Sequence, residues 1–212
     1  MAIKILLLIL ILALYSSGLR SSYQFSLPDS LSEEPVNNIE QKSLDVDTKT
    51  YKNLNYGIVL QYPNNWTYEE MDPDYFLPER DFNVVFFSPT QFEDEGALTA
   101  VIIDELGSRH MTLEQYKDER VKNLKMDAEP QVKDLSITAT ELGGSPAYRI
   151  EYRIWILDHW DTSIDILSVV NNEWREISII GTPKSIQFFS ESIENLVKSV
   201  KFNLQTCAAR TL

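Results

Sequence analysis

Residues 135–156 read LSITATELGGSPAYRIEYRIWI, and this stretch decides the fold class. Apolar residues alternate with polar ones on both sides of a glycine pair: Leu135, Ile137 and Ala139 before it, and Tyr148, Ile150, Tyr152, Ile154 and Ile156 after it. A period of two is typical of a strand that buries one face. The intervening Gly143-Gly144-Ser145-Pro146 is rich in turn residues. The stretch therefore predicts a β-hairpin with one face in the core and the other facing water or a partner.

Aromatic and β-branched residues are also frequent in the surrounding chain, where they predict further strands. These are residues 56–62, 83–87, 98–103, 164–170 and 174–180. The last two are joined through Asn171-Asn172 and predict a second hairpin. Because hairpins dominate, we expect an α+β fold with a central antiparallel sheet flanked by helices, an α/β/α sandwich, and not a parallel nucleotide-binding sheet.

Two amphipathic helices are expected. The first begins with a capping box, in which Thr112 is followed three residues later by Gln115. Its apolar stripe consists of Leu113, Tyr116, Val121 and Leu124, and Lys117 and Arg120 can lay their aliphatic stems across it. The second begins at Pro183, with Thr182 as its cap, and its stripe consists of Ile186, Phe189, Ile193, Leu196, Val197 and Val200. Each helix is expected to cover a sheet.

The N-terminus carries an apolar run, Ile5 to Leu14, behind Met1 and Lys4. About 10 to 13 apolar residues suit an export signal, whereas a membrane span takes roughly 20. We therefore expect a signal peptide or an N-terminal membrane anchor at 1–20, a flexible acidic linker at 21–50, one folded domain at 51–203 and a loose tail at 204–212. The protein is expected to be extracytoplasmic, either secreted or anchored to the outer side of a membrane.

The charge of the chain limits its partners. With 32 acidic and 19 basic residues, the net charge is −13, which repels phosphate backbones and anionic lipid headgroups. Nucleic acid is therefore not expected as a partner, whereas basic protein patches or divalent cations are compatible with this charge. The single cysteine, Cys207, excludes an internal disulfide.

Catalytic motifs are missing from the sequence. The glycines form no GxGxxG or P-loop pattern, and Gly144-Ser145-Pro146 is better explained by hairpin geometry than by a serine nucleophile. The carboxylate pairs at 69–74 and 93–95 lie in turn-like stretches and are interpreted as solvated loops. No catalytic or cofactor-binding residue is expected, and an exported hydrolase is the least favoured alternative.

One segment combines possible metal ligands. In an extended conformation His159, Asp161 and Asp165 project to the same side of the strand, and one imidazole with two carboxylates suits Mn or Ca better than Zn. Metal binding by this set is therefore one hypothesis for the domain, and an ordinary polar connection between strands is the other.

Aromatic and polar surface residues suggest two further hypotheses. Trp66 and Trp174 follow turns and are expected to pack in the core, whereas Trp155 lies on the polar phase of its strand, which predicts exposure and contact with protein. Alternatively, a ligand pocket could be lined by the four tryptophans Trp66, Trp155, Trp160 and Trp174. Asn65-Trp66-Thr67 is an N-glycosylation sequon, so Asn65 is a candidate acceptor in a host that glycosylates exported proteins.

The order of motifs resembles the PsbP-like family. The resemblance rests on these segments: Tyr56-Gly57-Ile58, Gln61-Tyr62-Pro63-Asn64-Asn65-Trp66, Phe87-Ser88-Pro89, the Thr112 helix, Gly144-Ser145-Pro146-Ala147-Tyr148 and Val200-Lys201-Phe202. It implies an antiparallel sheet flanked by helices, used as a non-catalytic binding or assembly module that associates with an unidentified membrane or envelope protein complex. The photosystem II partner of the plant protein is not implied, because that protein uses a basic N-terminal extension and residues 21–50 here are acidic. A divalent metal or small-ligand binding protein is the alternative.

Overall fold

The computed structural model describes residues 47–54, 57–71, 82–89, 99–105, 111–127, 131–156, 159–170 and 173–202. The predicted leader at 1–20, nearly all of the linker, the turn at 93–96 and the tail with Cys207 lie outside these ranges. Within them, no helix is both long and apolar enough to cross a bilayer. The first described strand begins at Thr48, slightly before the domain boundary expected at residue 51.

The described residues form ten strands and three helices. The strands are β1 (Thr48–Asn53), β2 (Ile58–Pro63), β3 (Thr67–Met71), β4 (Phe82–Phe87), β5 (Ala100–Glu105), β6 (Val132–Leu142), β7 (Ser145–Ile156), β8 (His159–Val170), β9 (Glu173–Gly181) and β10 (Lys201–Phe202). The helices are α1 (Leu113–Asp127), α2 (Pro183–Phe188) and α3 (Ser190–Ser199).

The main layer is a seven-stranded sheet in the order β3-β4-β5-β9-β8-β7-β6, in which every neighbouring pair is antiparallel. A second sheet has the order β1-β2-β10 and is also antiparallel. The predicted antiparallel sheet is therefore confirmed. The predicted helical sandwich is found only in part: the helices of the described ranges are few, and the small sheet shares a core with α2 and α3.

The register of β8 against β9 divides the large sheet into two faces. Ile164 pairs with Ile179 and Ile166 with Ile177, and these four side chains belong to the main hydrophobic core. We call their side the core face. Because side chains alternate along a strand, residues such as Asp165 lie on the opposite side, where α1 packs. We call that side the α1 face.

Aromatic residues that are distant in sequence pack together on both faces of the large sheet. Trp66, which follows the turn after Pro63, contacts the ring of Phe189 edge to face at 5.7 Å. On the α1 face, Trp174 is fully buried and contacts Tyr116 at 4.4 Å. Both tryptophans therefore pack inside the fold, as expected from their positions after turns.

The helix caps agree with the sequence pattern. The Thr112 amide donates to Gln115 Oε1 at 2.8 Å, and the Gln115 amide donates to Thr112 Oγ1 at 3.2 Å. Thr182 Oγ1 accepts from the Ser185 amide at 3.2 Å, so the second cap is also present. The helix expected from Pro183 onward is interrupted at Phe189 and forms α2 and α3.

The β6–β7 hairpin turns more tightly than expected and buries less of β6. Gly143 and Gly144 alone form the turn, with φ of 59° and 79°, while Ser145 and Pro146 already belong to β7. The apolar phase of β7 is buried, but Ile137 on β6 is 39% exposed. The expectation that Leu135, Ile137 and Ala139 are buried in the core was wrong, because β6 is the outermost strand and the described elements do not bury it.

Replacement of the two turn glycines by alanine tests this geometry. Each substitution places a Cβ on a residue with positive φ, which destabilises the fold by on the order of 1 to 2 kcal/mol. A Cβ at Gly143 also meets Phe202 Cδ2 at 2.6 Å, whereas a Cβ at Gly144 meets nothing within 4 Å. We expect Gly143→Ala to lower the free energy of unfolding by roughly 1 kcal/mol more than Gly144→Ala in urea titrations. Equal losses would contradict the described contact between the turn and Phe202.

Candidate functional site

The β7–β8 hairpin carries a pair of tryptophans near its end. Trp155 and Trp160 are directly opposite each other in the register, and their ring centroids lie 5.3 Å apart in an edge-to-face arrangement. Both belong to the core face of the sheet and are half-buried. The exposure predicted for Trp155 is therefore only partial, because Trp160 covers one side of its ring.

Two cations lie beside these rings. Lys133 and Arg153 face each other across β6 and β7, with Lys133 Nζ 4.2 Å and Arg153 Cζ 5.9 Å from the Trp160 ring centroid. Neither cation forms an ion pair or a side-chain hydrogen bond with any residue in the described ranges, and the enclosed Arg153 Nε has no acceptor there. We call Lys133, Arg153, Trp155 and Trp160 the Trp–cation cluster.

The Trp–cation cluster has the chemistry of an anion-binding surface. Like charges directly opposite each other on a sheet repel, and the indole face compensates part of that cost through cation–π attraction. An incoming carboxylate would relieve the repulsion more fully, because guanidinium and ammonium groups donate charge-assisted hydrogen bonds. In a chain of net charge −13, two neighbouring cations that form no ion pair within the described part of the chain are therefore a distinct local feature.

On the opposite face of β8, His159 and Asp161 form a second polar group. His159 Nε2 lies 3.3 Å from Asp161 Oδ1, with the imidazole half-exposed and the carboxylate almost fully buried. Burial raises the pKa of Asp161, and the neighbouring His159 opposes this shift. The pair therefore places a buried carboxylate beside an accessible imidazole at one end of β8.

The third predicted metal ligand, Asp165, lies away from this pair. Four residues along a strand span about 13 Å, too far for Asp161 and Asp165 to bind one ion together. No group of three or more His, Cys, Asp or Glu side chains in the described ranges is arranged to hold a metal ion. The structure thus brings His159 and Asp161 together and places Asp165 in another environment, and metal binding stays a prediction.

Asp165 is the centre of a polar network between α1 and the sheet. Its Oδ2 accepts from Arg120 Nε at 3.0 Å and Nη2 at 2.9 Å, and from the Tyr152 hydroxyl at 3.1 Å. Glu176 accepts from the Tyr116 hydroxyl at 2.6 Å. The buried network, as we call it, comprises Tyr116, Arg120, Tyr152, Asp165, Glu176 and Ser178.

The buried network contains two carboxylates and one cation. Ser178 Oγ lies 3.1 Å from both Asp165 Oδ1 and Glu176 Oε1, and its single proton can be donated to only one of them at a time. Burial raises the pKa of Asp165, and Glu176 adds to this shift, whereas Arg120 opposes it. The guanidinium is therefore needed to keep two carboxylates inside the fold.

Sequence reasoning missed this role of Arg120. We expected its stem to lie across the apolar stripe of α1, but the structure buries its guanidinium against Asp165. The spacing offered a signal, because Arg120 lies four residues after Tyr116 and four before Leu124, both of which are buried. A charged residue at that spacing faces the sheet and needs a partner of opposite charge.

The glycosylation candidate, Asn65, is exposed in the turn before Trp66. An exposed turn is a suitable position for an acceptor. Glycosylation of Asn65 stays a prediction.

Comparison with known proteins identifies the family. A family model described as PsbP-like protein matches residues 21–199. The chain belongs to the PsbP-like family. The resemblance deduced from the sequence motifs is therefore confirmed over most of the chain. No curated protein matches the chain.

Solved structures that are similar to this chain come from several bacteria. The solution structure of cyanobacterial PsbP from Synechocystis sp. PCC 6803 has a TM-score of 0.53 at 16% identity, covering 80% of this chain and 99% of that chain. PA94 of Pseudomonas aeruginosa, a putative regulator of unknown function, has a TM-score of 0.48 at 13% identity, with 78% and 95% covered. LpqN of Mycobacterium tuberculosis, involved in cell envelope biogenesis, has a TM-score of 0.46 at 11% identity, with 76% and 92% covered. At such identities, the cyanobacterial structure supports the PsbP-like fold alone.

Replacement of Arg120 tests the buried network. Arg120→Met removes the guanidinium that contacts Asp165 and Glu176, and we expect a loss of about 3 to 5 kcal/mol in the free energy of unfolding at pH 7.5. Burial raises the pKa of Asp165, and the guanidinium of Arg120 opposes this rise, so its removal raises the pKa of Asp165 further. The loss should therefore shrink as the pH falls toward 5, because protonation removes the uncompensated charge.

Urea titrations of Arg120→Met and wild type at both pH values measure this difference. Lys122→Met is the matched control, because Lys122 is exposed on the same helix and its loss should change little at either pH. A loss for Arg120→Met that is equally large at pH 7.5 and pH 5 would show that packing, and not charge compensation, is the role of Arg120.

Proposed function

We propose that this PsbP-like protein is a non-catalytic, extracytoplasmic binding or assembly module that associates with a membrane or envelope protein complex. Membership in the PsbP-like family supports the role as a binding or assembly module, and the apolar run at Ile5 to Leu14 supports export from the cytoplasm. The observation that carries the binding role is the Trp–cation cluster, which presents two indoles and two cations on three neighbouring strands, with no carboxylate partner for either cation among the described residues.

The composition of the Trp–cation cluster is that of a protein contact. Tryptophan and arginine are enriched among the residues that dominate binding energy at interfaces. The backbone of β7 and β8 is fixed by regular pairing from Ala147 to Ile156, so little order has to be gained on binding. A partner with carboxylate groups would add charge complementarity and a faster encounter.

A divalent cation is the second candidate ligand. The specific observation in its favour is the His159–Asp161 pair, in which a nearly buried carboxylate lies beside an accessible imidazole. Imidazole and carboxylate are both ligands of Mn, and carboxylate oxygens are ligands of Ca. A cation at this position would complete its coordination with water or with groups of a partner.

Site-specific crosslinking tests the binding role. A photoreactive amino acid at position 160, in the full-length tagged protein within its native envelope, should give a discrete adduct with one membrane or envelope protein. The same amino acid at Gln187, an exposed position on α2, serves as the control and should not give that adduct. The double variant Lys133→Glu with Arg153→Glu should reduce the adduct at position 160 severalfold.

Two results would contradict the proposed function. One is identical labelling from positions 160 and 187, which indicates random contact. The other is turnover of a substrate by the purified protein, with that activity lost on replacement of a single polar residue.

Thermal melting with added metal tests the second candidate. At roughly ten times the dissociation constant, Mn²⁺ or Ca²⁺ should stabilise the protein by about 1.4 kcal/mol, which raises the melting temperature by about 2 to 6 °C. His159→Ala and Asp161→Asn should each remove the rise, whereas Glu151→Ala, an acidic position on the other face, should retain it. A rise that survives in both site variants would place the metal elsewhere.

A further inference from the structure

The described sheets end in four outer strands that differ in their protection. β10 has only two residues, β3 is short and exposes Glu69 and Glu70, and β1 exposes Lys49 and Lys52. Shortness and charge are the usual devices that keep an outer strand from pairing with another chain. β6 is different, because it is 11 residues long and pairs only with β7 among the described strands.

The central part of β6 lacks these protective devices. Residues 135–140, LSITAT, carry no charge and are rich in β-branched side chains. The bulge between Lys133 and Ser136 is confined to the start of the strand, and from Ser136 to Leu142 the pairing with β7 is regular. The side chains along this segment are mostly exposed, Ile137 among them at 39%. The outer backbone of β6 is therefore in a suitable geometry to pair with an added strand.

The Trp–cation cluster lies at the N-terminal end of this strand. Lys133 belongs to β6 itself, and Arg153 is its direct neighbour on β7. A residue on an added strand opposite Lys133 would have its Cβ about 5 Å from that of Lys133. The ammonium group, which lies over the Trp160 ring, would reach that residue by rotation of the flexible lysine side chain. An acidic side chain at that position would neutralise the two cations that have no carboxylate partner in the described ranges.

We propose that β6 accepts an extended segment of a partner protein as an additional antiparallel or parallel strand, with an acidic side chain bound at Lys133 and Arg153. This inference rests on the proposed function and names the chemistry of its partner. Main-chain hydrogen bonds supply the affinity in this mode, and alternate side chains supply the specificity. A second copy of this chain is a poorer occupant, because two copies that each carry a net charge of −13 repel each other.

A pair of synthetic peptides tests the inference on the intact protein. Both are capped octapeptides of alternating Val and Thr, one with Glu at each end and the other with Lys. In fluorescence anisotropy at low salt, the Glu peptide should bind at least about tenfold more tightly than the Lys peptide, a difference of about 1.4 kcal/mol. Lys133→Glu with Arg153→Glu should reverse this preference.

Amide hydrogen exchange locates the bound peptide. Saturation with the Glu peptide should slow exchange at alternate residues of 135–141, because only every second amide of an outer strand points away from its neighbour. Ile137→Lys should weaken binding by about tenfold, since a lysine on an outer strand disfavours strand addition. Thr67→Lys on β3 is the matched control and should leave binding unchanged.

Three results would overturn the inference: equal binding of both peptides, binding of neither, or binding without protection of β6. Because crosslinking from position 160 is measured separately, the two proposals fail independently. An adduct at position 160 without protection of β6 would retain the binding role and exclude strand addition. Protection of β6 without any adduct in the native envelope would exclude the proposed complex.

Discussion

The antiparallel register of β7, β8 and β9 is the constraint on which the rest of the structure depends. These three strands are paired over most of their length, and the register assigns every second side chain to one face. A shift by one residue would move the isoleucines of the core to the α1 face and the carboxylates of the buried network into the core. The two faces therefore differ because of pairing, and not because of any single residue.

Each face imposes its own requirement on the elements that cover it. The core face carries the apolar residues of the main core on β4, β5, β8 and β9, and they are covered by residues of the small sheet, α2 and α3. The α1 face carries Asp165 and Glu176, and α1 supplies Arg120 and Tyr116 to them. Replacement of a whole network of this kind by apolar residues is often tolerated in proteins, so we expect the buried network to fix how α1 lies on the sheet more than it adds stability.

Much of the fold follows from period-two patterns and caps that are visible in the sequence. The β6–β7 and β8–β9 hairpins, the Thr112 capping box and the start of α2 at Pro183 were all predicted from local residue types. Local patterns do not reveal which strand is outermost, and for this reason the apolar phase of β6 was expected to be buried. Nor do they reveal pairings between distant residues, such as Arg120 with Asp165, because these depend on tertiary contacts.

The candidate site, like the fold, could be predicted only where local residue patterns determine it. The segment 159–161 and the position of Trp155 on the polar phase of its strand could be identified from the sequence pattern. The role of Lys133 could not be identified from the sequence, because its position over the Trp160 ring depends on the bulge in β6 and on the pairing of β6 with β7. Asp165 was assigned to the same side of the strand as His159 and Asp161, which is correct, but the distance along the strand separates it from them.

The central claim is that this PsbP-like domain works outside the cytoplasm by binding and not by catalysis. Fractionation of native cells, with mass spectrometry of the intact protein from each fraction, tests the compartment on which that claim depends. The account predicts recovery in the extracytoplasmic or membrane fraction, and with a cleaved leader the mass would lack residues up to about position 20. Recovery of the full-length chain, with residues 1–20 attached, in the soluble cytosolic fraction would contradict it.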